Sequence, residues 1–182
     1  MKTHFDIETL IEAGAITNEL DLERALIADR KLRFLAKDNT HFATLRKKLR
    51  DLIEAYERKE WSDAATISTQ KIAESDRAEL IAEEERLFFE YRKTQIRKRL
   101  KELNMTQENL GFLLGHKSKT HMSELMNGIR PFMLRDLVII NKLLTVEIKD
   151  LVPVFLSKED VLKVRLAVAA LNNPAISLSV VY

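Results

Sequence analysis

The sequence predicts an all-α protein, and three observations carry that expectation. Four Gly and three Pro in 182 residues leave few of the breaks that a strand-rich chain requires. Apolar residues recur at three- and four-residue steps, most regularly at Phe42, Leu45, Leu49, Leu52, Ile53 and Tyr56. Helix-opening residues (Asn39, Thr106, Ser118) and helix-closing glycines (Gly14, Gly115, Gly128) bracket the periodic segments.

In chain order, residues 5–13 read as a short helix with Ile7, Leu10 and Ile11 on one side and Gly14 ending it. Thr17-Asn18 caps a second helix, 19–36, whose stripe is Leu22, Ala25, Leu26, Leu32 and Leu35. Asn39-Thr40 caps a third, 41–59. Residues 61–75 are polar and interrupted by Ser and Thr, which reads as a connector. Ser75 then caps a long helix, 76–103, with Leu80, Leu87, Phe88, Tyr91, Ile96, Leu100 and Leu103 on or near one face. After Pro153, Lys158–Leu171 is helical and Ile176–Tyr182 alternates like a strand. The expected division is an N-terminal helical unit (1–60), a connector and long helix (61–93), a five-helix unit (94–153) and a short helix/strand tail (154–182). The tail's apolar residues either build a homodimer interface or fold over the chain's own core.

Composition narrows the function. No Cys means no disulfide and no thiolate chemistry, which suits a reducing cytoplasm. Met1–Asp6 opens an amphipathic segment containing acids, unlike a signal peptide, and no apolar run approaches the ~18 residues of a membrane span. Four scattered His, no phosphate-binding glycine loop and no metal-ligand spacing give no catalytic, cofactor or metal site. Net charge is only +2 but is unevenly placed. Residues 51–90 carry 12 acids against 5 Lys or Arg, net −7, and residues 92–135 carry 10 Lys or Arg against 3 acids, net +7. A basic block of that kind is the footprint of a phosphate-facing surface. Acids early and cations late in one long helix also suit its dipole.

Within the basic block, Thr106 caps a helix with Leu110, Leu113 and Leu114 on its apolar face, and Gly115 stops it. Ser118 caps a second short helix that ends at Asn127-Gly128. Met122, Leu125 and Met126 point inward there, leaving Lys119, Thr120, His121, Ser123 and Glu124 to face out. Two short helices with a tight turn, the second polar outside, fit a DNA major groove. Gln107, Asn127 and Arg130, with the N–H groups at Ser118, are placed to hold phosphates. Lys119 and Thr120 are best placed for base edges, with His121, Ser123 and Glu124 as second choices.

The run Thr106-Gln107 … Leu114-Gly115 … Asn127-Gly128-Ile129-Arg130-Pro131 resembles the Cro/cI-type (XRE) helix-turn-helix family. Leu134, Leu137, Ile140, Leu144, Val146, Ile148 and Leu151 fall where that family has core positions in its fourth and fifth helices. The resemblance implies a λ-repressor-like five-helix domain over about a third of the chain. Three positions depart from it. The turn at His116-Lys117 is about one residue longer, Gly111 stands for the usual Ala, and Phe112 and Ile139 replace exposed polar residues.

Lys117-Ser118 … Ser123-Glu124-Leu125-Met126-Asn127-Gly128-Ile129-Arg130-Pro131, with Leu52-Ile53-Glu54-Ala55-Tyr56-Glu57 upstream, is similar to HigA-type antitoxins. That resemblance implies a type II antitoxin: a homodimer that reads a palindromic operator in double-stranded DNA. It would neutralise a small basic RelE/HigB-like ribonuclease toxin and repress their operon. The acidic stretch would face the toxin, with Trp61, Phe88 and Phe89 as candidate anchors. The alternative is a stand-alone XRE-type repressor whose N-terminal helices serve oligomerisation or ligand binding.

Overall fold

The structure is a computed structural model; it describes residues 6–63, 67–153, 158–173 and 175–178. All regular secondary structure among them is α-helical. The chain divides into two compact units, Met1–Leu151 and Val152–Tyr182.

The first unit holds α1 (Ile7–Ala13), α2 (Glu19–Leu35), α3 (Thr40–Glu60), α4 (Thr69–Glu102), α5 (Gln107–Leu114), α6 (Lys119–Asn127), α7 (Leu134–Leu144) and α8 (Ile148–Leu151). The cap residues account for the boundaries. Asp6, Asn18, Asn39, Ser68, Thr106 and Ser118 each accept from an amide in the first turn that follows. Gly14, Gly115 and Gly128 end their helices with φ of 73°, 83° and 68°, a conformation glycine adopts without penalty.

Helix α4 begins earlier than the sequence suggests. Ser68, not Ser75, is its cap, so half of the expected connector is helix. The first turn is fixed from outside. Lys71 Nζ lies 3.0 Å from Glu60 Oε2 and sits over the Trp61 ring. These contacts tie α4 to the end of α3 and outweigh the weak helix preference of Thr69 and Ser75.

The α4 face that packs inward also differs. Ala78, Ala82, Arg92, Ile96 and Leu100 are buried, while Leu80, Leu87, Tyr91 and Leu103 are exposed. Ala78 and Ala82 lie on the inner side, so Leu80 and Leu87, about half a turn away, face outward. Arg92 is buried with no acid beside it. Its guanidinium is stacked among Phe88, Phe89 and Phe132 and donates to the Leu151 carbonyl at 3.3 Å. Burial pushes its pKa down to about 10, which still leaves it charged at neutral pH.

Helices α1–α3 form one core around Ile7, Leu10, Leu22, Ala25, Leu32, Phe42, Leu45, Leu49 and Ile53. Ile129, from the segment after α6, is part of that same core. Around α5–α8, the buried residues are Leu110, Leu114, Met122, Leu125, Met126, Leu137, Ile140, Leu144, Val146 and Leu151. Leu113, Leu134 and Ile148, expected inside, are exposed. Leu134 opens α7, where Met133 stands at the cap position without a capping hydrogen bond.

Gly111 is explained by its neighbour. A Cβ there would meet Met122 Cγ at 2.8 Å and the His116 carbonyl at 3.1 Å. Met122 takes the space an alanine methyl would use. Gly111→Ala is therefore expected not to return the ~1 kcal/mol that helix propensity alone would give. Gly111→Val is expected to cost ~1–3 kcal/mol through overpacking. Urea unfolding of the two variants checks both.

In the second unit, α9 spans Lys158–Leu171, as the sequence predicts. Residues 176–178 carry no strand, and the rest of the expected strand, 179–182, lies outside the described residues.

Candidate nucleic-acid interface

Helix α5, the turn 115–118 and α6 are built from local signals. Thr106 and Asn109 cap α5 reciprocally, each side chain accepting from the other's backbone amide. Gly115 turns the chain, and the His116 amide donates to the Gly111 carbonyl at 2.8 Å. Ser118 Oγ accepts from the His121 amide at 3.1 Å and opens α6. Met122, Leu125 and Met126 seat α6 inward as expected. The turn has an anchor of its own. The His116 imidazole bonds the buried Asp136 carboxylate at 3.0 Å and meets the His121 ring edge-on.

The outward side of α6 departs from expectation. Lys119 is 78% exposed and pairs with Glu108 of α5 at 2.7 Å. Ser118 is exposed beside it, while Gln107 and Ser123 are half-buried. Thr120, Glu124 and Arg130 are held by residues of the N-terminal helices, and His121 by Glu124. Asn39, at the start of α3, donates to the Thr120 hydroxyl at 3.4 Å. Glu124, expected to face out, is only 3% exposed. His41 Nε2 lies 2.6 Å from one Glu124 oxygen, and His121 Nδ1 lies 3.3 Å from the other. Arg130 Nη1 stands 3.0 Å from Glu8 and 3.9 Å from Glu124.

Asn127 is held in the same way. Its carbonyl accepts from Lys31 of α2 at 3.1 Å, and its side chain accepts from Lys93 of α4 at 2.8 Å. Burial depresses the Lys31 pKa, an effect only partly offset by Glu90. The buried Glu124 carboxylate is satisfied by its hydrogen bonds with His41 and His121 and by the Arg130 guanidinium nearby; a carboxylate so enclosed without partners would be costly.

The residues that sequence reasoning missed are therefore Glu8, Lys31, Asn39, His41 and Lys93. No local signal marks them: His41 and Glu124 are 83 positions apart. Ligating atoms of Glu8, His41 and Glu124 lie within 4.8 Å of one another, the spacing of a cation site. Arg130 supplies the positive charge there. A cavity of about 240 Å³ opens alongside, lined by Glu8, Ile11, Glu12, His41, Thr44, Leu45 and Lys48.

The basic block is also partly committed to the fold. Arg92 is buried, Lys93 bonds Asn127, Arg99 bonds the Leu144 carbonyl and Arg130 bonds Glu8. Arg97, Lys98, Lys101, Lys117, Lys119 and Arg135 remain exposed. The acidic stretch behaves similarly. Glu85 bonds Arg24, Glu83 bonds Arg86, and hydrogen bonds from Lys59 and Lys71 hold the Glu60 pKa down to about 2. Trp61 donates to Glu19 at 3.1 Å, and Phe88 and Phe89 stack on Arg92, so all three candidate anchors have partners within the fold.

No family model, curated protein or solved structure matches the chain. No helix among the described residues is long and apolar enough to cross a membrane.

Proposed function

We propose that this chain is a sequence-specific DNA-binding protein of the HigA antitoxin type, acting in the cytoplasm. The observation that carries the proposal is the α5–turn–α6 pair. It combines a reciprocal cap at Thr106/Asn109, left-handed glycines at 115 and 128, and α6 seated by Met122, Leu125 and Met126. With the end of α4, α7 and α8, this makes a λ-repressor-like five-helix domain. In the working complex, Lys119 and Thr120 read base edges, with His121, Ser123 and Glu124 at the margin. Gln107, Asn127, Arg130 and the amides opening α6 hold phosphates.

The reading face is closed in this arrangement, since Asn39 and His41 occupy Thr120 and Glu124. DNA binding therefore draws on a state in which α1–α3 have moved off α6, and apparent affinity is reduced by the fraction of molecules in that state. A toxin or other ligand that binds the released N-terminal helices would shift the same balance. The exposed acids Asp51, Glu54 and Glu57 of α3 give a basic ribonuclease a surface to meet.

The test is binding to a duplex of the gene's own upstream region, titrated with salt, alone and with the product of the adjacent gene. Specific, salt-steep binding that the neighbour changes supports the antitoxin reading. Specific binding without that effect leaves the stand-alone repressor. No specific binding overturns both. Lys119→Ala is expected to relax sequence discrimination by ~1–3 kcal/mol at one base pair. A competition assay against single-substitution duplexes checks this, and unchanged discrimination removes Lys119 from the base-reading set.

A further inference from the structure

The outer face of α4 has the spacing of a helix-pairing seam. Ala73, Arg77, Leu80, Glu84, Leu87, Tyr91, Thr94 and Lys98 follow one another at alternating steps of four and three, and every one is exposed. That 3.5-residue repeat keeps a stripe facing a partner helix along its length. The centre of the stripe is its apolar part: Leu80 is 63% exposed, Leu87 54% and Tyr91 49%. The opposite side of the same helix is already packed, through Ala78, Ala82, Ile96 and Leu100. The stripe is thus a second seam on a helix held rigid by the first.

Charge indicates what covers it. In the first half of α4 the exposed acids Glu74, Asp76, Glu79 and Glu84 outnumber the exposed Arg77, and near its end the exposed cations Arg97, Lys98 and Lys101 outnumber the exposed Glu102. A second α4 laid antiparallel places acidic half against basic half at both ends. A parallel one would set like against like.

We infer that this chain forms a homodimer through α4, paired antiparallel about a two-fold axis between Glu85 and Arg86. In that register Leu80 packs on the partner's Tyr91, and Asp76 lies near the partner's Arg97. Leu87 meets the partner's Glu84, a mismatch that the two-fold repeats on both sides of the axis. A homodimer is what the HigA resemblance already implies; the inference is that α4 supplies its surface, and this association needs no DNA.

The chain has no Cys, so introduced thiols report without background. The full-length Leu80→Cys/Tyr91→Cys variant is expected to oxidise to a covalent dimer. Leu80→Cys alone is not, because the two copies of residue 80 would lie 11 positions apart along the seam, or ~16 Å. By sedimentation equilibrium, Glu84→Leu should tighten association at least tenfold. Leu87→Glu should give a monomer with unchanged helix content. A full-length chain that stays monomeric at 100 μM overturns the inference, as it would if α4 were covered by the chain's own C-terminal residues. So does ready cross-linking of Leu80→Cys alone, or a dimer indifferent to Leu87→Glu, which would place the interface elsewhere.

Discussion

Ile129→Ala is expected to lower the melting temperature by roughly 5–15 °C and to loosen the N-terminal helices from the rest of the first unit. Ile129 follows the left-handed Gly128 immediately after α6, yet its side chain is buried with Ile7, Leu45 and Leu49 in the core of α1–α3. The Ile7 amide also points at the Ile129 carbonyl, at 3.5 Å. Truncating a buried isoleucine costs ~2–5 kcal/mol, and in a unit of this size each kcal/mol is worth roughly 2–4 °C. Phe112→Ala is the control. Phe112 is 84% exposed, so the change should stay within ~0.5 kcal/mol of the parent. Calorimetry on both variants checks the pair. Equal, small shifts would mean that Ile129 does not join the two groups of helices.

The second large effect is on DNA affinity. Glu8→Ala/His41→Ala is expected to bind the upstream duplex roughly tenfold or more tightly than the parent chain. Neither residue belongs to α5 or α6, so no predicted DNA contact is removed. Glu8 gives up Arg130, which becomes available to phosphate. His41 gives up Glu124, whose buried charge then favours the open state, where water can reach it. Hydrogen bonds to charged groups contribute ~1.5–3 kcal/mol, and His41 is close to half exposed, so ~1 kcal/mol each is the fair value. Two such losses multiply the open fraction by well over ten. Arg130→Ala works in both directions at once, losing a phosphate contact and loosening the closed state. It should therefore change affinity less than the double variant does, and by the same factor for all sequences.

The caps and the turn were legible because their signals are local. Asn18, Asn39, Thr106 and Ser118 each sit within three residues of the amide they satisfy, and the helix-ending glycines need no partner. What was not legible depends on tertiary partners. The start of α4 is fixed by Glu60 and Trp61, and its outward stripe follows from the burial of Ala78 and Ala82 on the inner side. The burial of Glu124 is the sharpest case. On α6 alone it is one more polar residue on the wet side. Only the return of α1 and α3 makes it the centre of a charged cluster with Glu8, His41 and Arg130. The same contacts turn a reading face that was predicted open into one that is covered.

The most direct test of this account is the affinity of the parent chain and of Glu8→Ala/His41→Ala for one labelled upstream duplex and one scrambled duplex, across a salt series. Both proteins are expected to prefer the upstream duplex, with log affinity falling linearly against log salt, and the variant to bind about tenfold or more tightly at every salt. A variant that binds no tighter than the parent would contradict the covered reading face. Equal affinity of both proteins for the two duplexes would contradict sequence-specific DNA binding itself.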